Sequence, residues 1–159
     1  LIIGFMLVII FMFFKYKIFG LISNISLIAN LFMMVGILTV LEATLTLPGI
    51  AGIILTVGMA VDSNVLIYER IKEELKTEKS IIHAFDTGYN KAKITVIDAN
   101  VTTLIAAAIL FIFGSGPVKG FAVTLGIGII TTLFSAYFIA RHLTSVVVLN
   151  DKTGKYFKL

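Results

Sequence analysis

Cysteine is absent. That excludes disulfides, thiolate metal sites and cysteine nucleophiles. Histidine is nearly absent: His83 and His142 stand far apart, without metal-ligand spacing, and read as interfacial polar residues. Charge is scarce as well, at 14% of 159 residues against about 25% in an ordinary soluble domain. No glycine-rich stretch carries the lysine and spacing of a phosphate-binding loop. The sequence therefore offers no metal centre and no enzymatic constellation. Only two prolines interrupt it.

Apolar residues fill what these absences leave. They make up 58% of the chain, and the mean hydropathy is +1.05. A soluble fold of this size has too little interior to hide so much apolar surface. The fold class is therefore all-α, a polytopic bundle of helices in a lipid bilayer. The chain opens inside an apolar run, "LIIGFMLVIIFMFF", with no basic stretch before it and no small-residue cleavage site after it. It reads as a truncated span rather than a signal peptide, in a fragment of a longer protein.

A spanning helix needs about 20 apolar residues. The expected spans are 1–14 (cut short), 21–41, 50–68, 96–113 and 120–140. The connections alternate in charge. "KYKIFG" holds two Lys, the segment 69–95 holds six Lys or Arg, and the tail 141–159 holds four. The two intervening connections hold only Lys119. Positive charge marks the cytoplasmic side. The C-terminus is thus expected in the cytoplasm, and an odd number of spans agrees. The net charge of +4 reads as this topology signal, not as a nucleic-acid surface.

In 69–95, Ile71, Leu75, Ile82, Phe85 and Tyr89 recur at near-helical spacing, and Ser80 has the character of an N-cap. One or two amphipathic helices on the cytoplasmic surface are expected, with a solvated hairpin as the alternative near Thr77. Two ridges of small residues run at i+4 spacing: Gly52, Thr56, Ala60, Asn64, and Gly120, Thr124, Gly128, Thr132, Ala136, Ala140. Such ridges let helix backbones approach closely in lipid.

Asp62 is the residue that most needs explaining. It lies about twelve residues into its span, where a carboxylate costs on the order of 2.5–3.5 kcal/mol. It is expected to face a bundle interior. Gly58, one turn before it, would leave room for a neighbouring helix or a water. Asp62 is either a proton-titrating or ion-binding carboxylate, or the hub of a structural hydrogen-bond network. "DANVTT" (98–103) echoes "DSNV" (62–65). Asp98 would fall in the first turn of its span, where a carboxylate favours the helix N-terminus. Asn64, Asn100 and Thr103 are possible supporting polar groups. The Gly-x-Gly-Asp of intramembrane aspartyl proteases is missing at both aspartates. Glu69, Glu73 and Glu74 alternate with Arg70, Lys72 and Lys76 and read as a helix face of ion pairs.

"LPGIAGIILTVGMAVDSNVLIYERIKEEL" (47–75), "AFDTGYNKAKITVIDANVTTLIAAAILFIFGSGPVKGFAVTLGIGIITT" (84–132) and "FKYKIFGLISNISLIANL" (14–31) resemble the SecD branch of the SecD/SecF family. The likeness takes in nearly the whole chain. Ser63 stands where that family usually has Ala. The resemblance implies an RND-superfamily half-bundle of six helices, five of them present here. It implies the bacterial inner membrane, pairing with SecF, and work beside the SecYEG translocon. It implies a transport subunit, not an enzyme, that uses protons as coupling ion and has no other cofactor. Asp62 matches the family's intramembrane carboxylate linked to proton passage. Asp98, Asn100 and Thr103 fall in matched segments without a role attached. A first helix and a periplasmic region that handles exported polypeptide would lie outside this sequence. A proton-driven exporter of small molecules, as in other RND members, and a purely structural scaffold are the rival readings.

Overall fold

The structure is a computed structural model that describes residues 2–77 and 80–150. Among the described residues there are helices and no strands: α1 (Ile2–Val40), α2 (Leu47–Leu75), α3 (Ile81–Phe113), α4 (Pro117–Phe134), a π-helical segment (Ser135–Ala140) and α5 (Arg141–Asn150). Among the described residues four helical runs are long and apolar enough to cross a membrane, the last extending from Pro117 to Asn150.

α1 covers both of the first two expected spans, and it is not straight. Lys17 has φ 49° and ψ −116°, outside helical space. The Asn24 amide donates to the Ile9 carbonyl at 3.1 Å. In a continuous helix those residues would be about 22 Å apart. The chain therefore turns back at Lys17, and the arms 2–16 and 18–40 lie side by side. Gly20 fits against the Met12 carbonyl, a place that a Cβ would fill.

Three expected boundaries need correction. The segment 69–95 is not a separate surface element: α2 runs on to Leu75 and α3 already begins at Ile81. No proline or glycine interrupts residues 59–75, and the pairs Arg70–Glu73, Arg70–Glu74 and Lys72–Glu69 support the helix beyond the apolar run. The span expected at 96–113 starts fifteen residues earlier, in agreement with Ser80 as N-cap residue, although its hydroxyl makes no capping bond. The tail is helical over 141–150, with Thr144 and Val148 buried. Residues 151–159, with Lys152, Lys155 and Lys158, and residues Glu78 and Lys79 lie outside the described residues.

α2 and α4 form the tightest contact. A Cβ on Gly128 would sit 2.7 Å from the Thr56 Cβ, one on Gly120 would sit 2.5 Å from the Thr46 Oγ1, and one on Gly52 would strike Thr124. The two small-residue ridges thus face each other, so their backbones approach closely. Thr46 caps α2 by accepting the Gly49 amide at 3.2 Å, and Pro48 sits in the first turn. The outer surface is apolar, with Phe14, Phe32, Val40, Ile94 and Phe113 exposed. Much of the interior is polar: Ser23, Ser26, Asn30, Thr56, Asn64, Asn100, Thr132 and Ser135 are all buried. That order suits a solvent of lipid, where polar contacts and close packing hold helices together.

Candidate functional site

Asp62 sits on α2 in a stripe formed by Gly58, Asp62, Leu66, Glu69 and Glu73, spaced at three, four and seven residues. Gly58, Asp62, Leu66 and Glu73 are exposed, and Glu69 is partly so. Asp62 thus does not face the interior formed by this chain's own helices. The opposite faces of α2 are taken up by α4 and α3, so Ser63, Asn64, Ile67 and Tyr68 are the buried neighbours. The Ser63 hydroxyl donates to the Met59 carbonyl at 2.8 Å. Gly58 also needs correction as a packing residue. A Cβ there would meet nothing within 4 Å, because it shares the open face with Asp62.

α2 and α3 run antiparallel. Gly88 lies against Ile71, where a Cβ would come 2.8 Å from the Ile71 Cα, and Lys91 Nζ lies 2.9 Å from Glu74 Oε1. These contacts put Asp62 level with about residues 97–103 of α3, at one rise per residue on each helix. Asp98 belongs to that level and is exposed, as is Thr102, on a stripe that includes Thr95. Asp98 is the eighteenth residue of α3, so a role at the helix N-terminus is excluded, because the charged stretch before it is itself helical from Ile81. Thr102 and Thr103 return their hydroxyls to the carbonyls of Asp98 and Ala99. Asn100 is buried and donates to the Val96 carbonyl at 2.8 Å. The side-chain oxygens of Asn64 and Asn100 are both buried without a hydrogen-bond partner among the described residues. The site is thus a pair of carboxylates on neighbouring outward stripes, backed by buried amides.

Below this level is a cleft of about 370 Å³ lined by Leu66, Glu69, Arg70, Glu73, Lys91, Ala92 and Thr95. Around it Arg70, Lys91, Lys72 and Lys15 gather. Glu74 is almost fully buried and holds both Lys91 and Arg70. Arg141 lies 3.7 Å from Asp86 and covers the Tyr89 ring, which ties α5 to α3. Lys119 is at the other end, over the Phe111 ring. On the α1 side the Tyr16 hydroxyl donates to Glu69 Oε1 at 2.8 Å, and Lys72 reaches the same oxygen at 3.2 Å. That Tyr16 bond holds the Glu69 carboxyl below its ordinary value. Lys72 and Lys15 act in the same direction, against a partial burial that raises it. Burial and the Glu69 carboxylate push the Tyr16 phenol up.

A lowered folded-state pKa contributes stability above the unfolded carboxylate value, near 4.5. That contribution is lost as pH falls through the folded value. Tyr16→Phe should therefore destabilise the full-length protein by about 0.5–1.5 kcal/mol at pH 7. The difference should shrink progressively as pH falls below 4.5, as read from thermal melts across pH.

Sequence reasoning missed the second polar contact region. Asn30 donates to Thr132 Oγ1 and Ser26 to the Ser135 carbonyl, both at 3.1 Å. The second bond falls at the start of the π-helical segment, where the backbone ladder changes register. Ser23, Ser26 and Asn30, at helical spacing in an apolar run, were the available signal. No group of three His, Asp or Glu suited to a metal ion occurs among the described residues.

The profile of the family described as "Protein export membrane protein SecD/SecF, C-terminal" matches residues 1–150. The protein translocase subunit SecD of Magnetococcus marinus is 52% identical over 150 residues, which are 94% of this chain and 29% of that protein. The protein translocase subunit SecD of Rickettsia prowazekii is 56% identical over 156 residues, 98% of this chain and 29% of that one. The crystal structure of SecDF, a translocon-associated membrane protein from Thermus thermophilus, superposes with a TM-score of 0.88. It is 42% identical and covers 92% of this chain and 20% of that one. The chain spans less than a third of the length of these relatives.

Proposed function

We propose, from the premise that this chain belongs to the SecD/SecF family of protein export membrane proteins, that it is the proton-coupling half-bundle of a Sec export subunit. The observation that carries this reading is Asp62, an exposed carboxylate level with Asp98 on a largely apolar outer surface. An open carboxylate at membrane depth asks for a polar partner. The face it occupies is therefore read as the contact surface for SecF. The converged basic residues support a cytoplasmic location for the Glu69 end and for α5, in the bacterial inner membrane. The SecYEG translocon and an exported polypeptide, handled by regions outside this sequence, complete the assembly. Protons are the coupling ion, and the chain acts in transport rather than as an enzyme.

Protonation of Asp62 removes a charge that otherwise has to be paired or hydrated. The helices that satisfy it can then repack, and that movement is the output. The test is export of a preprotein into inverted membrane vesicles that contain or lack the full-length parent. The parent should add a component of export that disappears when the proton gradient is collapsed at constant ATP. Equal export from both vesicle types, with and without the gradient, would refute the reading.

A further inference from the structure

The stripe that carries Asp62 does not end there. Glu69 is seven residues on, so it lies on the same face two turns below, about 10 Å along the axis. Only Leu66 stands between them on that stripe. Leu66, Glu69 and Glu73 line the 370 Å³ cleft together with Arg70, Lys91, Ala92 and Thr95. On α3 the stripe rises from Thr95 to Asp98 and Thr102. Two stripes therefore climb from one cleft, roomy enough for several waters, to the level of Asp62, one interrupted by Leu66 and the other polar at Thr95, Asp98 and Thr102. We infer that this cleft is the proton exit of the half-bundle and that Glu69 is its first acceptor.

The inference rests on the reading of Asp62 as the proton-coupling carboxylate. In the step, the O–H bond of protonated Asp62 breaks, and its proton passes through hydrogen-bonded water to a Glu69 carboxylate oxygen. Asp62 is left as carboxylate. Protonated Glu69 then gives its proton to water in the cleft and returns to carboxylate. About 10 Å is the length of a short water chain, too long for a direct transfer.

The surroundings of Glu69 suit an acceptor that releases quickly. From α1 it is faced by Tyr16 and Lys15, from α2 by Lys72, Arg70 and Glu73, and across the cleft from α3 by Lys91. Tyr16 and Lys72 hold one oxygen, Oε1. The side chain remains 46% exposed, so Glu69 meets solvent. The same groups keep it ionised at neutral pH and therefore ready to accept. Arg70 is committed to Glu73 and Glu74, and Lys91 to Glu74. The cations of the cleft are thus largely compensated, which lowers the barrier to an arriving proton.

The test uses proteoliposomes of the full-length parent with its SecF partner, with an internal pH dye reporting flux under an imposed proton gradient. Asp62→Asn should abolish flux. Glu69→Gln should lower it about tenfold and flatten its dependence on pH at the Glu69 side, with a melting temperature lowered no further than by Tyr16→Phe. Glu69→Asp should restore most of the flux. If Asp62→Asn abolishes flux while Glu69→Gln leaves rate and pH profile intact, the exit is elsewhere and this inference fails alone. If Glu69→Gln lowers flux only in step with a lower melting temperature, and Glu69→Asp does not rescue it, the role is structural and the inference fails. If Asp62→Asn retains flux, both this inference and the reading beneath it fall.

Discussion

Asp62→Asn in the full-length protein should abolish the gradient-dependent component of export and leave membrane insertion unchanged. The substitution keeps size and hydrogen-bonding shape and removes the titrating proton. A neutral amide at this depth is easier to insert than a carboxylate, which costs on the order of 2.5–3.5 kcal/mol. Assembly should therefore be as good or better. Packing around the site should not change, because Asp62 and Gly58 lie on an open face in this chain and a Cβ at Gly58 would touch nothing within 4 Å. Loss of export with normal membrane levels and normal recovery of SecF would separate coupling from structure. Normal gradient-dependent export by the variant would instead favour a scaffold, in which Asp62 is one polar contact among several. The measurement is export kinetics with and without the gradient, alongside quantitative blotting of the membrane fraction.

Gly128→Leu should have the largest effect on stability. Gly128 presses against Thr56, with the position of an added Cβ 2.7 Å from the Thr56 Cβ and 2.8 Å from its Oγ1. Thr56 is fully buried, is branched at Cβ and hydrogen-bonds to the Ile53 carbonyl at 2.9 Å. It has little freedom to swing away. Overpacking of this kind costs about 1–3 kcal/mol for a small insertion and more for a large one. Gly128→Ala should fall in that range, and Gly128→Leu should force α2 and α4 apart. Gly126, two residues earlier, is the control: an added Cβ would meet only a Leu104 methyl at 4.0 Å. Gly126→Ala should be neutral or slightly stabilising, since alanine restricts the unfolded chain and favours helix. Unfolding midpoints of the full-length protein in detergent would rank the three. Equal midpoints for Gly126→Ala and Gly128→Ala would overturn the packing argument.

Those two residues illustrate what could be read in advance. The i+4 ridge through Gly120, Thr124 and Gly128 announced close packing from spacing alone, because lipid gives helices few other reasons to meet. Asp62 announced itself because a lone carboxylate in an apolar run has a high cost. Which way it points did not follow. The apolar residues of a spanning helix face both lipid and neighbours, so hydropathy carries almost no directional signal, and direction came from the contacts of α3 and α4. Charge misled at two boundaries for one physical reason. Ion pairs at i+3 and i+4 continue α2 past its apolar run, and the charged part of α3 is held by pairs to its neighbours, Lys91 to Glu74 and Asp86 to Arg141, so both helices project beyond the point where hydropathy falls. Asp98 consequently moved from a presumed helix start to mid-helix. The Glu74–Lys91 and Tyr16–Glu69 contacts join residues 17 and 53 positions apart, a separation at which local patterning says nothing.

The overhang of α2 has a mechanical consequence. Its 29 residues make a rod about 43 Å long, against a hydrocarbon layer of about 30 Å. Asp62 divides that rod unequally, and the part from Asp62 to Leu75 is about 20 Å. The far part is also clamped to α3 by Glu74 and Lys91. A tilt of 10° pivoting at Asp62 would swing the Leu75 end sideways by about 3 Å, a whole atom's width, by rigid-rod geometry. The carboxylate sits near the middle of the rod, and the paired helices beyond it form one arm of a lever. A small rearrangement deep in the bilayer would thus emerge as a displacement of atomic size at the charged rim.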